Sequence, residues 1–499
     1  MTTTHTALRR LAAGAGALAL SLAGFVAAGT AASADIGPDQ PGAPTVGPDQ
    51  PGAPTKGTLT INKYAGSPVG EGEMLDPADL LSGVEFTIRE VGRSVEDTCT
   101  AIDLTDAADW DGLEGLFASA PALPGGDFCL TGVTYVDETV DGKVVFDLPV
   151  GVYVAQETDP GPNNIVSPVP AFYVSIPTSM GEAGAGWNYD VVADPKNQLM
   201  DKPSKIITER PDALVVGSNV TWELTVPIPT LNNEETFTEA VITDVLDSRL
   251  DYVAGSTVLT IGTTLATEGV HYTVSDDVVW TLTEEGRAVL DANMGQDMTI
   301  SFKTEVLDVG DGNIPNDTYN SKFNGTSVPG TDIPYTYWGQ LKIQKNDDST
   351  PVKPLAGAEF QVFEMTTTCP ATAPESGVVA TGVSDSTGLV QWDYTTPASS
   401  PLGLWIANSN TALTNPSKDY CLYETVVPAG HTAGVITNPV NIKPGVNGLT
   451  TVTVVNAKKD GPDLPLTGAQ GTLLLTLGGL ALVGAGGGAL ALSRRRDNA

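Results

Sequence analysis

The sequence predicts an all-β protein, built as three β-sandwich domains in series. Three observations lead there. Short runs of alternating apolar and polar residues, rich in Val, Ile and Thr, recur between residues 58 and 459 and are broken by Gly, Pro, Asn and Asp. The 499 residues exceed one ordinary core and suit about three domains of roughly 150 residues. Two segments far apart in the chain read as diverged copies of one unit.

The strands are expected at 58–63, 84–88, 143–148, 220–226 and 451–455, among others. Residues 106–120 and 283–294 depart from the alternation and read as short helical pieces. The first copy holds Gly83-Val84-Glu85-Phe86 and, later, Glu157-Thr158-Asp159-Pro160; the second holds Gly357-Ala358-Glu359-Phe360 and then Glu424-Thr425. The stretch between them lacks the Glu-Thr pair. The expected domains are therefore 58–196, 197–337 and 338–459. Ahead of them, within 35–57, Gly-Pro-Asp-Gln-Pro-Gly-Ala-Pro-Thr occurs twice, from Gly37 and from Gly47, a composition that cannot build a core and reads as an extended linker.

The two ends point to export. Residues 1–34 carry Arg9 and Arg10, an apolar run over 11–28 and the small residues Ala32-Ser33-Ala34, the three parts of a cleavable secretory signal. Residues 460–499 contain an apolar stretch, 471–492, long enough as a helix to cross a bilayer, followed at once by Arg494, Arg495 and Arg496. A net charge of −35 argues against nucleic acid as a partner. Of three histidines, His5 lies in the signal, and His271 and His431 fall in different domains, which leaves no metal cluster and no call for a cofactor. No nucleophile–histidine pairing or close carboxylate pair suggests an enzyme. Cys99 and Cys129 lie in the first domain, Cys369 and Cys421 in the last; in an exported chain this partition predicts two intradomain disulfides.

Leu464-Pro465-Leu466-Thr467-Gly468, set before the apolar stretch and its basic tail, resembles the sorting signal of sortase substrates. Together with the repeated Glu-Thr segments it resembles the major (backbone) pilins of Gram-positive bacteria. The resemblance covers nearly the whole chain. It implies immunoglobulin-like, collagen-adhesin-type domains, several holding a lysine–asparagine amide in the core. The physical logic is simple: burial pushes a lysine toward its neutral amine and a carboxyl toward its acid, so the amine attacks the carboxamide while the acid moves the protons.

In the last domain the resemblance matches Lys345, Glu424 and Asn456. In the middle domain Asp244 replaces the glutamate, with Lys205 and Asn316 as partners; Lys202 and Asn320 fit the spacing as well. The first domain keeps Lys63 and Glu157, but where the asparagine is wanted the chain reads Val191-Val192-Ala193-Asp194, so its trio is expected to be incomplete. The stretch from Trp187 to Asn197, ending Pro195-Lys196-Asn197, resembles the pilin motif, which implies that Lys196 is exposed after a rigid proline and accepts Thr467 of another subunit. The implied partners are other copies of the chain, a pilin-specific class C sortase and a housekeeping sortase, peptidoglycan and a tip pilin. The alternative is a monomeric wall-anchored adhesin for a host or bacterial surface receptor, such as a glycan or matrix protein.

Overall fold

The structure is a computed structural model that describes residues 46–459 apart from 67–74, 96–97, 119–124, 180–185, 233–234 and 395–397. The signal segment 1–34, the first repeat copy and the sorting region 460–499 lie outside the described residues.

Alternation makes these strands two-sided. Along Asn219–Pro227 every second residue is buried, which sends Val220, Trp222, Leu224 and Val226 into the core and Thr221, Glu223 and Thr225 outward. The first sandwich sets a three-stranded sheet, Asp190–Ala193, Lys56–Asn62 and Lys143–Pro149, against a five-stranded one formed by Thr98–Ala101, Phe128–Glu138, Glu85–Val95, Gly151–Asp159 and Phe172–Ile176. Leu59, Ile61, Phe86, Phe146, Tyr153 and Val191 fill the space between. In the middle sandwich, Asn219–Pro227 and Asp297–Val306 centre one sheet and Ala240–Val245 the other. Trp222, Trp280 and Phe302 are fully buried there. The third sandwich repeats the first: its opening strand Tyr335–Asp347 pairs in parallel with its closing strand Gly445–Asn456, as Lys56–Asn62 does with Asp190–Ala193.

The two repeated motifs meet each other. Phe86 stands opposite Glu157 and Phe360 opposite Glu424, and in both pairs the register shifts at the preceding glutamate, Glu85 or Glu359. The threonine after each acid donates to that glutamate, Thr158 to Glu85 at 2.7 Å and Thr425 to Glu359 at 2.8 Å. The repeat is thus one β-bulge made twice.

Helical departures fall where the alternation fails: Ala107–Trp110 and Leu113–Ala118 in the first domain, and Glu284–Asp291, whose first turn is capped by Thr283, in the middle. Two expectations change. The second repeat copy does not run free: Gly47 and Pro48 are buried, and Tyr189 donates to the Val46 carbonyl. The sandwiches also join more closely than linkers would allow. Tyr335–Asp347 begins against the middle-domain strand Asn313–Pro315 and ends in the third core, running straight across the boundary expected at 337. Leu214 packs into the third core and Val166, from the first domain, into the middle one.

Candidate functional site

In the third domain, Lys345 stands opposite Val454 in parallel register, and Asn456 lies two residues on. Lys345 is fully buried, and its ammonium is 3.7 Å from Glu424 Oε1. Asn456 Nδ2 donates to that same oxygen at 2.6 Å, while the Gly434 N–H holds Glu424 Oε2 at 3.2 Å. A Cβ on Gly434 would come within 2.7 Å of Asn456 Oδ1, so glycine lets the loop close over the site. Burial lowers the Lys345 pKa, opposed by the charge of Glu424.

In the middle domain, Lys205 Nζ lies 2.7 Å from Asp244 Oδ2, and Asn316 Nδ2 donates to that oxygen at 3.4 Å. The Tyr319 ring covers the amine at 4.2 Å. Burial pulls Lys205 down to about 8 and pushes Asp244 up, against their mutual attraction. Desolvating two charges is costly, so the buried pair moves toward neutral amine and neutral acid, the states that attack and proton relay require. Of the alternatives, Lys202 is exposed and Asn320 half-buried, and neither reaches Asp244 by a hydrogen bond.

The first domain overturns one expectation. Its asparagine is Asn197. Lys63 Nζ donates to Asn197 Oδ1 at 2.5 Å and sits 3.1 Å from Glu157 Oε2; Asn197 Nδ2 donates to both Glu157 oxygens, at 2.8 and 2.9 Å. Burial brings Lys63 down to about 8 against the pull of Glu157. The register explains the position. Ile61 pairs with Ala193, which sets Lys63 level with Pro195, and Asn197 is two residues on, as Asn456 is from Val454. Pro195 interrupts the ladder, and the chain resumes as a separate strand, Lys196–Leu199, between Tyr64–Ala65 and Ile165–Ser167. The first sandwich therefore runs past 196, and counting back from the end of Asp190–Ala193 misses the residue. The signal was present in Pro195-Lys196-Asn197 itself.

Lys196 opens that strand opposite Tyr64 and is half-buried, not fully exposed. The aromatic run before it is packed: Trp187 meets Trp110 edge-on at 5.4 Å between ring centres. Cys99–Cys129 and Cys369–Cys421 are bonded, at 2.01 and 1.99 Å. Thr467 and the rest of 464–468 lie outside the described residues.

Residues 456–499 match the family described as the LPXTG cell wall anchor motif. The chain is 30% identical to a fimbrial subunit type 2 of Actinomyces naeslundii across 99% of its own length and 98% of the relative's. It is 29% identical to a fimbrial subunit type 1 of Actinomyces viscosus across 88% and 90%. Among solved structures it resembles the full-length major pilin SpaD from Corynebacterium diphtheriae, with a TM-score of 0.58 and 26% identity over 81% of this chain and 98% of that one. Matched from end to end in sequence and sandwich by sandwich in fold, the chain belongs to the major fimbrial subunits, or pilins, that Gram-positive bacteria hold at the cell wall through an LPXTG anchor.

Proposed function

We propose that the chain is the shaft unit of a covalent homopolymer whose domains are each locked by an internal amide. Three buried lysine–acid–asparagine trios support this reading, each bridging the opening and closing segments of one sandwich. In each, the lysine amine attacks the asparagine Cγ, the acid passes a proton to Nδ2, ammonia leaves, and one amide replaces the carboxamide. This is a single maturation step, not turnover.

Between subunits, a class C sortase cleaves after Thr467 and holds it as a thioester while Gly468 onward is released. The Lys196 amine then displaces the sortase thiol. A housekeeping sortase passes the finished polymer to peptidoglycan. Lys196→Ala should abolish the high-mass ladder in wall extracts while monomer export continues; a surviving ladder rejects the lysine. Intact mass of the exported ectodomain should fall short of the sequence by three ammonias beyond the hydrogens lost to its two disulfides, and a chain short only of those hydrogens rejects the internal amides.

A further inference from the structure

The three trios differ in what faces the carbonyl oxygen that must carry negative charge when the amine attacks. Asn316 Oδ1 and Asn456 Oδ1 are buried with no hydrogen-bond partner among the described residues. Asn197 Oδ1 accepts from the Val169 main-chain N–H at 2.7 Å. We infer that the Val169 N–H is an oxyanion-stabilising donor for amide formation between Lys63 and Asn197, a group without a counterpart among the described residues of the other two domains. The inference rests on the reading that this amide forms.

Four observations carry it. First, the carboxamide orientation is fixed: Oδ1 faces two donors, Lys63 Nζ and Val169 N–H, and Nδ2 faces two carboxylate oxygens. Turned round, it would set donors against donors and acceptors against acceptors. Second, Val169 lies between Pro168 and Pro170, so its N–H is the sole main-chain donor of that tripeptide, and Pro170 restricts Val169 to extended backbone. Third, Val169 is 5% exposed, so its N–H acts away from water, where a preset dipole counts most. Fourth, the segment is clamped from the middle domain: Asn232 donates its side-chain amide to the Pro168 carbonyl at 3.0 Å and its main-chain N–H to Ser167 Oγ at 3.1 Å, while Val166 is buried in the middle core. The donor is therefore held before reaction by parts that do not react.

Lys63 Nζ adds to Asn197 Cγ, and the carbonyl pair moves onto Oδ1 under the Val169 N–H. Glu157 takes a proton from Nζ and returns one to Nδ2, which departs as ammonia as the carbonyl re-forms.

The test replaces Val169 in the full ectodomain by its α-hydroxy acid, which exchanges the N–H for an ester oxygen and keeps the side chain. Digestion and mass analysis at intervals after synthesis follow the three cross-linked peptides separately. The Lys63–Asn197 peptide should form about 100-fold or more slowly, while the Lys205–Asn316 and Lys345–Asn456 peptides keep their pace. An unchanged rate overturns the inference. Should the ester unfold the first domain, a crystal structure of the cross-linked wild type decides. Val169 N within hydrogen-bond reach of the new amide oxygen supports the role, and a separation beyond it rejects it. A wild type without the Lys63–Asn197 peptide instead sinks the amide itself.

Discussion

The first and third sandwiches are diverged copies, and their buried trios show what divergence has left alone. Both place the acid opposite a phenylalanine through a bulge at the preceding glutamate, and both set the asparagine two residues beyond the lysine's level. What differs is the closing segment. In the third domain, Gly445–Asn456 is one long strand and Asn456 ends it. In the first, Pro195 breaks the strand and Asn197 returns on a separate piece beside Lys196. The broken version puts the asparagine next to Lys196 and under the Val169 N–H; the continuous version leaves the Asn456 carbonyl without a partner among the described residues. Position is preserved, while the carbonyl's surroundings are not.

The largest effect that would break this comparison comes from removing the acids. Glu424→Ala should abolish the Lys345–Asn456 amide, because among the described residues Glu424 is the acid that meets both Lys345 and Asn456, and Asn456 Oδ1 has no donor. Glu157→Ala should slow the Lys63–Asn197 amide yet leave a measurable trickle, since the Val169 N–H still serves the oxyanion. Each lost cross-link opens a loop of more than a hundred residues, and the chain-entropy account puts that at about 5 kcal/mol for a loop of such length. An uncompensated buried lysine adds to the loss. Cross-linked peptides counted in both variants, with thermal melts beside them, check the prediction; equal abolition in both would erase the distinction.

A smaller effect separates linked from unlinked lysine by pH. Asn197→Ala leaves Lys63 and Glu157 in place without an electrophile. The folded amine, its charge disfavoured by burial, then titrates at about 8 against the ordinary lysine value of 10.5. Below about 8 the lysine is charged in both states and stability is flat. Between about 8 and 10.5 only the unfolded chain keeps the proton, so stability rises with pH, and above 10.5 the gain is complete. The gain is of the order of a few kcal/mol. The cross-linked wild type has no amine to titrate there, so the difference between the two melting curves against pH isolates Lys63. Parallel curves would show that burial does not depress this lysine.

Much of this was legible in the residues. Strict alternation marks Asn219–Pro227, and Lys345 and Asn456 stand on runs whose buried face is plain from period two, whereas Glu424 follows Tyr420–Tyr423, a run buried on both faces. The Asn197 position was hidden because a proline ended the ladder early, and the parallel register, not the strand end, sets the level. The boundary at 337 was hidden for another reason: Gly339, beside a register shift inside Tyr335–Asp347, does not end the strand, so one strand serves two sandwiches. The docking of Gly47 and Pro48 beside Trp187 is a tertiary contact that a Pro/Gly-rich composition masks. Val169 could not be found at all, since a main-chain N–H leaves no mark on residue type.

The smallest effect asks whether the bulge depends on its threonine. Thr425 donates only to Glu359, whereas Thr158 meets both Glu85 and, at 3.0 Å, Thr87. Both hydroxyls sit at solvent-facing edges, so each bond is worth about 0.5–1.5 kcal/mol at most. Thr425→Val should therefore lower the melting temperature slightly, Thr158→Val slightly more, and both chains should still lose three ammonias. The reason is that a slip of one residue would turn the whole strand over, driving Leu422 and Tyr420 out of the core along with Glu424. That penalty far exceeds one hydroxyl's hydrogen bond. A full-mass third domain in Thr425→Val would mean that the side chain, and not the packed strand, holds the acid in place.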